Sequence, residues 1–487
     1  MSAGAQTMAA PTPLPEALSE TGRLPSSVWK ISAVAVLGSL LSQLDATVVN
    51  VSLPSLAAEL NASLATIQWV TSGYLLALAL TLPLSGWLVD RIGAKALYLW
   101  SFSAFTLASA LCGLAWSANS LIAFRILQGM TGGLLAPMAQ MMIARAAGKQ
   151  LARVAGYAAL PVLLGPILGP VIAGAILQHA SWRWLFFVNL PVGALALLLA
   201  TVFLPDDRRL GKRRRLDFAG LAMLSPGLVL ILYGSDHVNH RLGIAALAAG
   251  LALLACFLRT ATRKGPDALI DLQLFKGRVF PISALTQFLS NGIVFAGQML
   301  IPFYLIGACG RSPSATGLML APLGLGMACS LPSLGALTRR FGLRNVSAGG
   351  ALLALLGTLP FLYLAGHGLV LALLTIALFC RGVGLGAVGI PSLTAAYVSI
   401  RKQDLPMATT SLNIVQRLGG PTLTTLCATF LAWRLNVANG SGNLSGAFVG
   451  AFSLLCALHA LLFLSALRLP ASVDNAAAEC RDDGGNL

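Results

Sequence analysis

The stretch "GWLVDRIGAK", Gly86 to Lys95, comes back as "GALTRRFGLR", Gly335 to Arg344, at an offset of 249. Gly86 matches Gly335, Arg91 matches Arg340, Gly93 matches Gly342 and Lys95 matches Arg344. Near the same offset Arg125 answers Arg381, and Gly169-Pro170 answers Gly420-Pro421. Chance likeness between glycine-rich loops would not hold a near-constant spacing at three places, so the chain reads as a duplicated unit. Each copy of the stretch closes a long apolar run with a tight turn and a cluster of charge.

Composition says what the apolar runs are. The chain is 57% hydrophobic and 10% charged, with mean hydropathy +0.81, whereas soluble domains are about 25% charged. Crossing ~30 Å of hydrocarbon takes about 20 apolar residues. Fourteen segments qualify: 31–55, 66–88, 96–116, 120–144, 153–177, 184–204, 217–235, 242–259, 279–306, 315–337, 346–365, 369–397, 406–433 and 446–467. Residues 1–28, rich in Pro, Ala and Ser, have no basic stretch leading into a short apolar core and read as a cytoplasmic tail, not a cleaved signal. With that end inside, 25 of the 32 Lys and Arg fall on the cytoplasmic side. Arg183, Arg241, Arg311 and Arg434 fall outside, and Arg125, Arg381 and Arg417 lie within spans. A miscounted helix would reverse this bias downstream of the error, so the net charge of +16 reflects topology and lipid contact, with no nucleic-acid partner. The eight Cys are scattered without a CxxC and read as small core residues.

The repeat relates spans 1–6 to spans 9–14, and both copies start on the cytoplasmic side, so its axis runs along the membrane normal. The expected fold class is an all-α integral membrane protein of two six-helix bundles with two inserted helices. The bundles occupy 29–205 and 279–470. Residues 206–278, opening with "DDRRLGKRRR", hold the basic loop and the insert, and 471–487 form a second cytoplasmic tail.

Inside the first span, "LLSQLDATVVNVSLPSL" carries Asp45. An acid at that depth is costly and points to function. Gln43, Thr47 and Asn50 share one stripe of the helix and Asp45 points nearly the other way, leaving open which face meets a cavity. Arg125, in "RILQGM", cannot lose its proton and needs an acceptor; Asp45 is the most obvious one in its half. "GYAALPVLLGPILGPVIAG" spaces Gly156, Gly165, Gly169 and Gly174 along one helix, with Pro170 to bend it, a pattern that lets helices approach closely.

Together these motifs resemble the major facilitator superfamily, and within it the 14-helix drug:proton antiporter family of multidrug efflux proteins. "LDATVVNVSLP" is close to the family's first-helix signature, with Ser52 where Ala is usual, and the Gly156–Gly174 pattern departs only at Ala173. "WRWLFFVNLPVG" and "QRLGGP" are weaker matches, and the tryptophans would also suit an outer interfacial belt. The resemblance implies that Asp45 faces a central cavity as proton carrier, with Arg125 assisting. It implies that Gly86, Asp90, Arg91, Gly93 and Lys95 form a gating loop, with Asp90 capping a helix of the opposite half in the outward-open state, and that the glycine pattern marks an exporter. The implied function is proton-coupled export of lipophilic drugs or toxic small molecules across a bacterial plasma (inner) membrane. No cofactor or metal is expected. A periplasmic adaptor and an outer-membrane channel are candidate partners in bacteria with two membranes.

Candidate cavity residues are Gln287, Asn291 and Gln298, beside Phe288 and Phe295, with Arg381 and Arg417; helix packing alone would also explain them. One mid-membrane acid against three Arg argues against a dication site and leaves neutral, monocationic or anionic substrates. A dedicated exporter of one metabolite, siderophore or antibiotic keeps the same fold. A non-transporting receptor and a membrane enzyme are the rivals of another class. The chain lacks HExxH, GxSxG and a P-loop, its five His are scattered, and no ATP-binding domain is present, so transport would draw on an ion gradient.

Overall fold

The computed structural model describes residues 25–62, 64–205, 216–236, 240–265, 268–270, 272–311, 313–401, 403–439 and 444–476. Most of both expected tails and the loop 206–215 therefore lie outside the described residues. All the regular structure described is helical, as the bilayer demands of a chain that must satisfy its backbone within each span. The first half comprises α1 (Ser26–Glu59), α2 (Leu64–Thr81), α3 (Leu84–Ile92), α4 (Ala94–Gly113), α5 (Ala118–Ala147), α6 (Leu151–His179), α7 (Trp184–Phe187) and α8 (Asn189–Phe203). The insert is α9 (Phe218–Asp236) and α10 (Arg241–Lys264). The second half comprises α11 (Val279–Gly307), α12 (Pro313–Ser330), α13 (Leu334–Thr358), α14 (Pro360–His367), α15 (Leu371–Val398), α16 (Leu405–Asn439) and α17 (Leu444–Leu467).

Among the described residues nine helical stretches are long and apolar enough to cross a membrane, or ten if α2 and α3, bent by 56°, form one span. One of the nine, Ala315–His367, has 53 residues. At 1.5 Å per residue that is about 80 Å, far more than one crossing uses. Its backbone breaks at Gly342, where φ is 81° and ψ 166°. Gly93, between α3 and α4, has φ 85° and ψ 155°. The two glycines that the repeat pairs thus make the same left-handed turn, which a side chain would strain.

Each half has its own apolar core, and the repeat also orders the seam between them. A Cβ at Gly86 on α3 would press on the Pro406 carbonyl, Met407 and Thr410 at the start of α16. A Cβ at its repeat mate Gly335 would press on Arg153 at the start of α6. Gly156 packs against the Leu331 carbonyl of the other half. Hydrogen bonds join the halves here: Ser85 with Thr410 at 2.8 Å, Asn413 to Gln140 at 2.8 Å and Tyr397 to Gln140 at 3.1 Å. All of these residues lie toward the basic end of their helices, so the halves close on each other at that end.

The insert packs as a hairpin whose glycines, Gly227, Gly234 and Gly250, bring α9 and α10 into backbone contact. Leu224, Leu228 and Phe257 of the insert cluster with Leu82 of the first half and Ile414 of the second. Asp217 fastens its base. The carboxylate accepts from Gly220 N at 2.9 Å and Leu269 N at 3.2 Å and pairs with Lys264 at 2.5 Å. Burial pushes this carboxyl up, but the Lys264 ammonium and the two backbone donors outweigh it and hold it below the usual range.

Candidate functional site

Two polar features stand out inside the helices: a sealed cluster around Asp45, and a cavity behind α2. Asp45 is 2% exposed and Arg125 0%. Arg125 Nη1 donates to Asp45 Oδ2 at 2.5 Å and to Gln128 Oε1 at 2.7 Å, and Arg125 Nε donates to the Val70 carbonyl at 3.2 Å. Asp45 Oδ1 accepts from Gln128 Nε2 at 3.1 Å and from Asn189 Nδ2 at 2.8 Å. Asn189 also donates to Ser109 Oγ at 3.0 Å, which donates to the Phe186 carbonyl at 3.0 Å. The guanidinium lies 4.2 Å from the Tyr74 ring centroid, and the Tyr74 hydroxyl meets Ser42 Oγ at 3.0 Å. Three charged or amide donors thus converge on one carboxylate, an arrangement built for the anion and for a buried ion pair.

The cavity is about 770 Å³. Its wall comes from α2 (Trp69, Ser72, Leu75, Leu76), α5 (Ala136, Gln140), α9 (Leu232, Tyr233, Ser235), α11 (Asn291, Phe295) and α16 (Asn413 to Thr425). Trp69 and Tyr233 stack at 6.4 Å with 19° between their planes, so the insert supplies part of the wall. Gln140 and Asn413, tied to each other and to Tyr397, close it toward the seam.

These positions correct part of the expectation. Asp45 does not line this cavity. α2 stands between them, with Ser72, Leu75 and Leu76 toward the cavity and Tyr74 and the Val70 carbonyl toward the ion pair. Of the candidate lining residues, Asn291, Phe295 and Arg417 are on the wall. Gln287 is not: one turn closer to the seam α15 covers that stripe, and its amide donates to Gly389 O at 2.6 Å and Ser392 Oγ at 3.1 Å. Gln298 is exposed away from the wall, and Phe288 packs in the second core. Arg381 is sealed in that core, donating to the Ile293 carbonyl at 3.1 Å, with its Nε unpartnered. Trp182 is buried, not interfacial, while Trp184 is exposed. Asp90 and Lys95 are half-buried and Arg91 exposed on and after α3, the helix that packs on α16. Gly165, Gly169, Pro170 and Gly174 lie in α6, but their surroundings fall outside the described residues.

Sequence reasoning missed Gln128, Asn189, Tyr74 and the wall residues of α9. Gln128 stands three residues after Arg125 in the quoted motif, one helical turn away on the same face, which is the signal that could have found it. No metal-binding group of three His, Cys, Asp or Glu exists among the described residues.

Comparison with known proteins places the chain. It matches the Major Facilitator Superfamily over residues 35–424. It is 34% identical over 422 residues to the multidrug resistance protein B homolog of Mycobacterium tuberculosis (strain ATCC 25618 / H37Rv), covering 85% of this chain and 78% of that one. It is 32% identical over 363 residues to the putative multidrug resistance protein MdtD of Serratia proteamaculans (strain 568), covering 73% and 75%. Among solved structures, the proton:xylose symporter XylE bound to 6-bromo-6-deoxy-D-glucose superposes with a TM-score of 0.63 at 16% identity, over 93% of this chain and 99% of that one. The human organic anion transporter MFSD10 gives 0.60 at 19% identity, over 90% and 99%. At such identities these two report the fold alone. A two-half helical carrier with a cavity between its halves is the class of protein that fold and site define. The chain belongs to the Major Facilitator Superfamily, and it is a multi-pass membrane transporter rather than an enzyme.

Proposed function

We propose that this protein is a proton-coupled antiporter with fourteen spans that exports lipophilic drugs or toxic small molecules across the bacterial inner membrane by alternating access. The observation that carries the reading is the Asp45–Arg125 pair: the one carboxylate at mid-membrane depth, held by an arginine and two amides on two other helices. The relatives' names, both of multidrug resistance proteins, support drug export. With the basic end inside, the seam is the closed inner gate and the cavity faces out.

The pair supplies the coupling step. A proton on Asp45 must displace Arg125 from Oδ2, or Gln128 or Asn189 from Oδ1. Each donor sits on a different helix from Asp45, so proton uptake and loosening of α1 against α5 and α8 are one event. Arg125 Nη2, which has no partner, gives the guanidinium a second edge to offer when the first is released. In the outward-facing arrangement α2 seals the carboxylate from the cavity, so proton entry belongs to a state in which α2 and α1 have shifted.

The test is drug and dye uptake into inverted membrane vesicles under an imposed proton gradient, comparing wild type with Asp45→Asn. Uptake that needs the gradient, vanishes with a protonophore and vanishes in a variant still present in the membrane supports the reading. Equal transport by both proteins removes Asp45 from the coupling, and failure of a broad panel shifts the reading to export of one dedicated compound.

A further inference from the structure

Arg417 is the one formally charged residue among the described residues of the cavity wall. No Asp or Glu lines it, and the side chains of α1, α2 and α6 outside the described set belong to uncharged residues. No acid at all occurs from Val279 to Val398 or from Leu405 to Leu467. The acid nearest in sequence to a wall residue is Asp236, which ends α9 one position after Ser235. Two amides of the wall are mated: Asn413 donates to Gln140 at 2.8 Å, and also to the Thr409 carbonyl at 2.8 Å. Arg417 differs, because its Nε is buried with no hydrogen-bond partner. That N–H has lost water without gaining an acceptor, which is costly unless something else fills the site.

The space beside it suits an aromatic body. Gly420, one turn along α16, has no side chain, and a Cβ there would meet the Phe295 ring at 3.2 Å. Trp69 stacked on Tyr233 forms the facing wall. A volume of about 770 Å³ accommodates a drug-sized molecule. We propose that the cavity selects amphipathic monoanions, an aromatic or aliphatic body carrying one carboxylate or sulfonate, with the acid head on Arg417 and the body between Trp69, Tyr233 and Phe295. One cation sets the charge at one, and the forked donor edge of arginine matches a planar two-oxygen head. This rests on the reading of the protein as a carrier and narrows its substrates.

The test is equilibrium binding to the purified protein in detergent with a matched set: 2-naphthoate, 2-naphthamide and 2-naphthylmethylammonium. Wild type is expected to bind the carboxylate at least about tenfold tighter than the amide, and the ammonium weakest. Arg417→Gln should bring carboxylate and amide within about twofold while keeping amide binding and a monodisperse fold, and Arg417→Lys should keep part of the preference. The proposal is overturned if the ammonium binds as tightly as the carboxylate, if the preference survives Arg417→Gln, or if folded wild type binds none of the three. Vesicle export of neutral drugs without carboxylate preference would sink the anion site and leave the antiporter reading standing. Selective naphthoate binding without gradient-driven transport would do the reverse.

Discussion

Arg125 and Arg381 occupy matching places in the two halves, and their surroundings could hardly differ more. Arg125 sits in a closed ring of carboxylate, amides, carbonyl and aromatic face. Arg381, equally buried, has one backbone carbonyl, and the second half offers it no acid on any helix. The backbone repeat has therefore kept its shape while its chemistry divided. The first half carries the ionisable pair, and the second half, through α11 and α16, carries most of the polar cavity wall. A duplicated fold needs equal packing on both sides of its axis, but it need not place the same charges there.

The largest expected effect tests that division directly. Arg125→Met leaves Asp45 as a buried carboxylate facing only amides and should cost about 3–5 kcal/mol. Arg381→Met removes a cation that has almost nothing to lose and should change stability by less than about 1 kcal/mol, in either direction. Thermal unfolding of the purified variants in detergent decides it; equal falls in melting temperature would erase the asymmetry. Of intermediate size is the pair of turns. Ala at Gly93 or at Gly342 strains a left-handed residue by about 1–2 kcal/mol, and at Gly342 the new Cβ also meets the Ala471 carbonyl. The second-half variant should melt lower than the first-half one, and the reverse order would mean that the first turn carries the greater constraint. The smallest effect belongs to the insert, which has no copy to compare. The Asp217 carboxyl is depressed when folded, so its stabilisation is present above the unfolded value near 4 and disappears as pH falls through the folded one. Asp217→Asn should cost about 1 kcal/mol at pH 7, discounted because Lys264 is partly exposed, and progressively less as pH falls below about 4. A penalty unchanged with pH would mean that the side chain acts as a neutral cap.

Much of this was legible because the bilayer allows so few answers. Apolar length and lysine–arginine bias mark the helices: the segments read from the sequence overlap described helix, and nine or ten described stretches are long and apolar enough to cross a membrane. The glycines of the repeat announced the turns at Gly93 and Gly342 because only one residue type tolerates that backbone. Asp45 and Arg125 could be paired on paper because each half offered so few charges. Rotation about the helix axis was another matter. It decides that Tyr74 faces the pair while Leu75 faces the cavity, and it follows from packing against neighbours all of which are apolar. Asn189 gave no warning for a related reason. A neutral amide in an apolar helix has no sign to say what it answers, and its partner lies far along the chain. The insert's share of the wall, through Tyr233, depends on which side of the bundle the extra hairpin docks, a choice that no periodicity records.

Arg417, the one charge among the described residues of the cavity wall, gives the proposed anion export an electrical consequence. A carrier that takes one monoanion out for each proton it takes in moves two positive charges inward per cycle. An interior-negative membrane contributes about 2.3 kcal/mol per charge for every 100 mV, so about 4.6 kcal/mol per cycle. With a pH gradient left in place, a potassium ionophore that clamps the potential at zero would remove two charges' worth of driving force from export of naphthoate and one from export of a neutral drug.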